Sequence, residues 1–462
     1  MAQTLTRPEP ITTSPHNRVP PGPRGSFFLG SYRSLRHEPL QFLLDVARNY
    51  GDVTRIRYIM WPLYLINHPD HIKYVLQENN RNYNKDVLDY RLLRRIAGNG
   101  LLVNDGESWL HQRRLMQPAF HRKRIEALGT LMTNATLAML DRWEAMAARA
   151  EPLDAAEEMM GLTLGIVGEA LFGTDLSAEV EQIGRAFTIV NEFLMRVFYQ
   201  PLILTPGLPV PGKRAFRAAQ RTLERVVTQI IQQRRQHPED KGDLLSMLLE
   251  ARDEETGEGM DDRQLGAEVL TLLLAGHETT ALTLAWTWYL LSEHPEAERK
   301  LHEELARVLG GRAPTVDDLP NLPYTRMVIE ETLRLYPPAW SFSRNTLADD
   351  EIGGYHIPRR SMVVISPYTV HRHPAFWECP EAFEPERFTP ERSEGRPRFA
   401  YFPFGGGPRQ CIGNVFAMTE AQLILATIAQ RCRLRVVPGH PVEPEPLITL
   451  RLKHGLKVTL ER

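Results

Sequence analysis

The sequence predicts a mainly α-helical fold with a minor β region, and three observations support this prediction. Helical periodicity dominates from Trp109 onward, with apolar residues recurring three and four positions apart. Alternating β-forming residues are confined to short stretches near the two ends of the chain. The composition, with 42% hydrophobic and 24% charged residues, is that of an ordinary globular chain. Helices with small sheets form an α-rich architecture.

The elements follow from this periodicity in chain order. A first helix is predicted from Pro39 to Tyr50, a small sheet begins at 53–67, and a short helix follows at 69–79. Longer helices are predicted at 124–149, 154–173, 178–200, 213–236, 261–293, 295–309, 323–336 and 414–429. Strand signals return at 352–366, and residues 443–461 predict a terminal hairpin around Lys453-His454-Gly455.

The first 25 residues form a polar, proline-rich arm. Its prolines are Pro8, Pro10, Pro15, Pro20, Pro21 and Pro23. The arm contains no apolar run of about seven residues, so we expect neither a signal peptide nor a membrane anchor, and we expect a cytoplasmic protein. Residues 26–462 are expected to form one domain, because the motifs described below must converge on one site. The net charge of −2 gives no indication of a nucleic-acid partner.

Cys411 is the most informative residue of the chain. It lies between a glycine-rich turn and the predicted helix 414–429. Backbone N–H groups at a helix start, with Arg409 two residues before, are expected to lower the pKa of the thiol. A thiolate is a strong metal ligand, and on haem iron it favours cleavage of the O–O bond. Glycines 405–407 let the backbone pass close to something flat and bulky, although a buried cysteine after an ordinary glycine loop is the alternative.

Residues 404–413 read F-G-G-G-P-R-Q-C-I-G. Phe404, Gly407 and Gly413 stand at the offsets of the pattern F-x-x-G-x-x-x-C-x-G around Cys411. This segment closely resembles the haem-thiolate signature of the cytochrome P450 family.

The resemblance covers roughly residues 20–462 and implies the cytochrome P450 fold, a helix-rich prism with a long central distal helix and small sheets. It implies b-type haem (iron protoporphyrin IX) as the cofactor, with Cys411 as the axial ligand of the iron. Phe404, Gly405 and Gly413 are implied to belong to the haem-binding loop.

The segment A-G-H-E-T-T at 275–280 lies in the middle of the long apolar helix. Gly276 would let a flat macrocycle and a diatomic ligand approach. Thr279 can turn its hydroxyl toward the carbonyl four residues before and leave room for a water, through which Glu278 can supply protons. The segment resembles the family motif A-G-x-[DE]-T-[TS], which implies contact of Ala275 and Gly276 with haem and activation of O₂ by two electrons. From the residues alone, a polar notch at a surface kink is the alternative.

Glu331 and Arg334 are three residues apart on one helix face, and most such pairs are surface ion pairs. Together with the P-E-R-F segment at 385–388 they resemble the E-x-x-R helix and the arginine loop of the family. The resemblance implies a buried triad of Glu331, Arg334 and Arg387 that fixes the segment before Cys411.

Trp109 and Arg113 place an indole N–H and a guanidinium on one helix face, and both donate well to carboxylates. An ordinary amphipathic helix is the alternative. The pair resembles the helix of the family that binds the haem propionates, and Arg409 and Arg344 match positions at which relatives place further propionate partners.

Bulky apolar stretches stand where family members line the substrate pocket. They are found at 87–96, 187–202 and 339–342. They imply an apolar substrate such as a fatty acid, alkane or terpenoid. The residues at 275–280 and 404–411 resemble those of the fatty-acid-hydroxylase branch of the family.

No glycine-rich nucleotide loop is found and the chain ends about 50 residues after Cys411, so electrons are expected from a separate ferredoxin or flavodoxin with its reductase. The basic cluster at 121–124 is either a docking patch for such a partner or a solvated face.

The sequence therefore predicts a haem-thiolate monooxygenase that activates O₂ and hydroxylates an apolar substrate. Two alternatives remain. A peroxide-driven or isomerising haem-thiolate enzyme is disfavoured by the pair Glu278-Thr279. A haem-binding sensor without turnover would bind apolar ligands but form no product.

Overall fold

The computed structural model describes residues 18–147, 151–176, 178–199, 210–237, 242–252, 257 and 259–461. Helices dominate these residues, and the strands among them form four small sheets. The predicted fold class, mainly α with a minor β region, is confirmed. Residues 1–17 of the predicted arm and Leu202 of the predicted pocket lie outside the described residues.

Most helix boundaries lie within two residues of the predicted ones, because several helices begin with a proline at the first helical position. The helices are α1 (Tyr32–His37), α2 (Pro39–Tyr50), α3 (Pro69–Lys73), α4 (Leu88–Ala97), α5 (Gly106–Met116), α6 (Arg122–Ala127), α7 (Gly129–Ala147), α8 (Ala155–Phe172), α9 (Val180–Tyr199), α10 (Lys213–Gln236), α11 (Leu244–Glu250), α12 (Asp262–Glu293), α13 (Pro295–Leu309), α14 (Pro323–Leu335), α15 (Pro367–Val370), α16 (Pro390–Ser393) and α17 (Asn414–Ala429).

The strands are short and lie mostly at the two ends of the chain. They are β1 (Val53–Tyr58), β2 (Trp61–Ile66), β3 (Tyr83–Asn84), β4 (Leu153–Asp154), β5 (Phe342–Thr346), β6 (Asp350–Ile352), β7 (Tyr355–Ile357), β8 (Met362–Ile365), β9 (Arg433–Val436), β10 (Pro444–Pro446), β11 (Leu450–Leu452) and β12 (Lys457–Glu461). The largest sheet has the order β1-β2-β8-β5-β3.

The predicted terminal hairpin at 443–461 is wrong in its pairing. β10 and β11 pair with each other, whereas β12 pairs with β9 and β4. Val458 and Leu460 of β12 lie opposite Val436 and Leu434 of β9. Alternation of apolar residues shows that a strand forms, but it does not identify the partner strand.

The helix predicted at 124–149 is interrupted. α6 ends before Leu128, and α7 begins at Gly129. Gly129 packs so closely against Val316 that a Cβ at this position would collide with that side chain. The requirement for close packing sets the break, which the periodicity of the sequence does not show.

The arm predicted at residues 1–25 already packs against the sheets where the structure describes it. The Pro21 carbonyl accepts a hydrogen bond from the Arg55 N–H at 2.8 Å, and the Arg18 carbonyl accepts one from the His356 N–H at 2.9 Å. Arg18 and Pro21 of the arm therefore contact the folded domain.

The long helix α12 passes through the core, where it packs against α8, α14 and α17. By length and composition alone it could cross a membrane, but 78% of its most apolar window is buried inside the protein, as in a core helix. α17 directly follows Cys411, so its contact with α12 joins the two segments that carry the predicted chemistry.

Candidate active site

The loop before α17 turns back on itself and presents the thiol of Cys411. The Cys411 N–H donates to the Phe404 carbonyl at 2.9 Å, and the Gly405 N–H donates to the Phe402 carbonyl at 2.9 Å. The Cys411 side chain is exposed. These backbone hydrogen bonds fix the position of the sulfur without any side-chain partner.

The glycines of this loop have a different role from the predicted one. A Cβ at Gly406 would collide with the Phe399 ring, and one at Gly407 would collide with the Leu76 carbonyl. Gly407 also has a positive φ of 67°, as does Gly405. Only at Gly405 would a Cβ meet open space, so Gly406 and Gly407 serve the packing of the protein itself and not the approach of a flat ligand.

The pKa of the Cys411 thiol is also not lowered as predicted. Although part of the side chain is accessible, the protein atoms packed around the sulfur raise the pKa, and the Gly413 N–H and the Arg113 guanidinium oppose this only in part. Arg409, which was expected to stabilise the thiolate, is paired with Asp105 at 2.5 Å. A metal ion bound at this position would deprotonate the coordinating thiol.

Helix α5 borders the Cys411 loop through the two predicted propionate donors. Arg113 donates to the Gln410 carbonyl at 3.0 Å. The Arg409 guanidinium lies 3.6 Å from the centre of the Trp109 ring, within the range of a cation–π contact. Three side chains predicted from two separate segments are thus brought to one place.

Arg344 lies in the same region, together with two residues that the sequence analysis did not assign to the cofactor. Arg344 donates to the Tyr90 hydroxyl at 3.4 Å. Lys85 is buried, donates to the Leu102 carbonyl at 2.5 Å and lies 5.1 Å from the centre of the Tyr90 ring. No motif marks a lone lysine, so only the fold reveals Lys85.

The distal helix shows one of the predicted contacts. The Thr279 hydroxyl donates to the Ala275 carbonyl at 2.8 Å, as expected from the spacing. Ala275 is exposed in the middle of a helix whose neighbouring residues are mostly buried. Gly276 instead faces α8, because a Cβ there would lie 3.2 Å from Val167 Cγ2, so its predicted role in admitting the macrocycle is replaced by helix packing.

Glu278 is buried and held by an arginine that the sequence did not indicate. Arg451 of β11 donates through Nε to Glu278 Oε1 at 2.6 Å and through Nη1 to the Thr188 hydroxyl at 3.1 Å. Burial raises the pKa of Glu278, whereas the charge of Arg451 and its hydrogen bond lower it. The acid beside Thr279 is therefore one half of a buried ion pair.

A second buried carboxyl group lies against the distal helix. Glu420 of α17 is fully buried, and burial raises its pKa to about 8. Only the Thr280 hydroxyl opposes this shift, so Glu420 is neutral at pH 7. A glutamate in an apolar helix gives no signal that it faces another helix, and the sequence analysis missed it.

The triad implied by the resemblance is formed. Arg334 binds Glu331 through two hydrogen bonds of 2.6 and 2.7 Å, and Arg387 Nε lies 3.3 Å from Glu331 Oε1. Arg334 also donates to the carbonyls of His371, Pro380 and Ala382. The buried ions thereby hold the chain that leads to the Cys411 loop.

The comparisons with known proteins agree with this geometry. A family model described as Cytochrome P450 matches residues 20–459. The chain belongs to the cytochrome P450 family. It is 41% identical to cyclooctatin synthase of Streptomyces melanosporofaciens over 96% of both chains. It is 40% identical to cyclooctat-9-en-7-ol 5-monooxygenase of the same organism, over 89% of this chain and 88% of that protein. It is 37% identical to pentalenene oxygenase of Streptomyces avermitilis, over 94% of this chain and 95% of that protein.

This P450 is thus a monooxygenase, and its cofactor is thiolate-ligated b-type haem. The charges of the site fit that cofactor. Lys85, Arg113, Arg344 and Arg409 lie near one another. Burial lowers the pKa of Lys85, and the proximity of Arg344 and Arg409 lowers it further. Asp105 is the anion that raises the pKa of both Lys85 and Arg409. Two propionates would offset the remaining excess of positive charge.

A surface pocket of about 670 Å³ opens on the thiol side of the P450. Phe404 and Gln410 of the Cys411 loop line it, together with Arg122, Arg326 and Arg398. Arg122 and Arg326 each pair with a glutamate four residues later, which offsets part of the basic character predicted at 121–124. The pocket is separate from the exposed face of Ala275.

The predicted pocket-lining residues do not all lie together. Phe187 contacts His277 of α12 with ring centres 5.7 Å apart, so it is at the distal helix. Trp340 packs with Leu40 and Leu43 of α2, and its indole N–H donates to the Leu447 carbonyl. The stretch at 339–342 is therefore partly core of the sheet region.

Proposed function

We propose that this P450 hydroxylates an apolar, terpenoid-like substrate with O₂ and two electrons from a separate redox protein. An exposed Cys411 thiol lies beside a group of cations, and this arrangement carries the proposal. The thiol can bind the iron of haem, and the cations can bind its two propionates. The names of two relatives contain cyclooctat-9-en-7-ol and pentalenene, which favours a cyclic apolar substrate over a linear fatty acid.

Bound haem would supply the chemistry of O₂, and the separate redox protein would supply the electrons. Cys411 would hold the iron, and Phe404, Gly405 and Gly413 would shape the loop around it. Trp109, Arg113, Arg344, Arg409 and Lys85 would bind the propionates. Ala275 would lie against the opposite face.

The chain's own contribution to the reaction is proton delivery and exclusion of water. The Thr279 hydroxyl would pass a proton to oxygen, since it faces the exposed side of α12 at Ala275. Glu278 would relay that proton from water: its carboxylate would turn away from Arg451, take up a proton from solvent and pass it to Thr279.

The partner we propose is a ferredoxin or flavodoxin with its reductase, and the thiol-side pocket with Arg122, Arg326 and Arg398 supports docking on that face. Residues 26–462 are proposed to act as one catalytic domain in the cytoplasm, with the described part of the N-terminal arm attached to its sheets.

Reconstitution tests this function. The haem-loaded protein is mixed with a surrogate ferredoxin, its reductase and NADPH, and then offered cyclic terpenes and long-chain fatty acids. We expect a spin-state shift and a hydroxylated product with a cyclic terpene. Product formation with peroxide but not with reductant would support the peroxide-driven alternative, and a spin shift without any product would support the sensor.

A further inference from the structure

Four large apolar side chains are mostly exposed to solvent at one edge of the five-stranded sheet. Phe27, Phe28, Met60 and Trp61, here called the edge patch, are 84%, 79%, 81% and 60% exposed. Single exposed apolar residues are common on protein surfaces, but a contiguous group of aromatic residues marks an interaction site.

Hydrogen bonds join the four side chains into one patch. Phe27 and Phe28 occupy the tight turn that Ser26 and Gly30 close with two backbone hydrogen bonds of 2.9 Å. Met60 and Trp61 lie at the turn between β1 and β2. The Ile59 N–H donates to the Leu29 carbonyl at 3.1 Å and Arg57 donates to the Phe27 carbonyl at 2.8 Å, so the two turns are side by side.

The hairpin tip carries apolar side chains at a position where turn chemistry favours other residues. Ile59 has a φ of 54°, in the left-handed region that β-branched residues avoid. A two-residue hairpin turn is most relaxed with Asn or Gly at such positions. An Ile-Met-Trp tip at 59–61 is therefore not explained by the stability of the turn.

The two chain segments that carry the edge patch are basic in sequence, with Glu38 and Asp52 at their boundaries. Residues 18–37 and 53–68 contain six arginines and no Asp, Glu or Lys, in a chain whose net charge is −2. These are Arg18, Arg24, Arg33, Arg36, Arg55 and Arg57. All but Arg57 are exposed, and none of the six forms an ion pair with a residue that the structure describes.

We propose that the edge patch binds the surface of an anionic lipid bilayer. Aromatic side chains settle at the level of lipid headgroups, and arginines around them are attracted to anionic headgroups. Together they suit a protein that lies on a membrane without spanning it. A second copy of this chain fits less well, because a two-fold contact would bring the same arginines against each other.

Binding in this way would place the distal side of the enzyme near lipid. The Tyr58 hydroxyl donates to the Phe198 carbonyl at 2.8 Å, which ties the patch-bearing hairpin to the end of α9. α9 also carries Phe187, which contacts the distal helix. Membrane binding goes beyond the proposed reaction and holds or fails whichever substrate the enzyme uses.

Flotation with vesicles tests the proposal. The full-length, haem-loaded chain is mixed with vesicles of phosphatidylcholine alone or with an equal share of phosphatidylglycerol. We expect flotation with the anionic vesicles that weakens at high salt. Phe27→Ser/Phe28→Ser/Trp61→Ser should reduce binding by about tenfold or more, because it removes the inserted apolar area. The matched control is Leu347→Ser, which removes a side chain that is 50% exposed at the opposite edge of the sheet.

The charge is tested separately. Arg24→Gln/Arg33→Gln should reduce binding to anionic vesicles by about fivefold per charge and leave the weak binding to phosphatidylcholine unchanged. An unchanged CO difference spectrum in each variant shows that the fold and the haem site are intact.

Absence of flotation in the wild-type protein, or equal flotation of the triple variant, would overturn the proposal. A concentration-dependent dimer in lipid-free sedimentation that the triple variant loses would also overturn it and assign the patch to a second copy. Turnover of a water-soluble substrate should be equal in all variants, so a failure here is separate from a failure of the proposed reaction.

Discussion

The two sides of the haem site are built in different ways. On the thiol side, Cys411 is positioned by backbone hydrogen bonds to residues of its own loop, such as Phe404 seven positions away. On the distal side, Glu278 depends on Arg451, which is 173 positions away along the chain. The thiol side can therefore be predicted from a local sequence motif, whereas the chemistry of the distal side depends on the tertiary fold.

The largest expected effect is a loss of haem content when the buried ion-pair network that supports the Cys411 loop is broken. Arg334→Ala should leave the buried Glu331 with only its 3.3 Å contact to Arg387 and remove three hydrogen bonds to the segment before Cys411, at a cost of about 3–5 kcal/mol. We expect loss of haem-loaded protein, measured as the ratio of Soret to protein absorbance. The control is Arg185→Ala, which removes an exposed ion pair with Glu181. Normal haem content in Arg334→Ala would mean that the triad does not hold the loop.

The distal ion pair gives the next effect. Arg451→Met should destabilise the protein by about 3 kcal/mol, because Glu278 stays buried without its partner. Arg451→Met/Glu278→Gln should recover most of this loss, since no buried charge remains. Thermal unfolding of both variants measures the difference. Equal melting temperatures of the single and double variants would show that the pair is not coupled.

Thr279 tests chemistry on the distal side rather than stability. Thr279→Ala should lower product formed per NADPH by about tenfold or more, because proton delivery by a positioned group contributes at least that much. Thr283→Ala is the matched control, since Thr283 makes the same hydrogen bond to the carbonyl four residues before at 2.8 Å. Similar uncoupling in both variants would assign the effect to the helix and not to the hydroxyl.

Glu420 gives the smallest effect, on the pH dependence of stability. Its pKa of about 8 lies above the unfolded value of about 4.3, so the folded state keeps a proton that the unfolded state releases. Its contribution to stability therefore falls as the pH rises from about 4.3 to about 8. Glu420→Gln should remove this fall, on the order of a few kcal/mol at most.

Melting temperatures at pH 5 and pH 8.5 measure this difference. Compared with the wild type, Glu420→Gln should gain relative stability at the higher pH, whereas Glu296→Gln, which changes an exposed carboxyl group, should follow the wild type. Parallel pH curves for all three proteins would place the pKa of Glu420 below the range tested.

Local patterns were sufficient for most of the fold. The periodicity of α10 and α13 predicted their bounds, because a buried face is encoded within each helix and Pro295 begins α13. The pairing of β12 and the break before α7 were not predictable, because both are set by contacts with distant segments.

The same distinction applies to the site. Trp109, Arg113 and Arg409 were found from their motifs, and the structure brings them together. Lys85 and Arg451 carry no motif, and their importance comes from burial beside other charges. The low thiol pKa expected for Cys411 was wrong, because burial raises the pKa more than the Gly413 N–H and Arg113 lower it.

The CO difference spectrum of the dithionite-reduced protein tests the central claim most directly, with Cys411→His as the comparison. If Cys411 binds the iron as thiolate, the wild-type Soret band is strongly red-shifted and the Cys411→His band moves to the position typical of histidine-ligated haem. A wild-type band at that same position, or no bound haem, would contradict the assignment of Cys411 as the iron ligand.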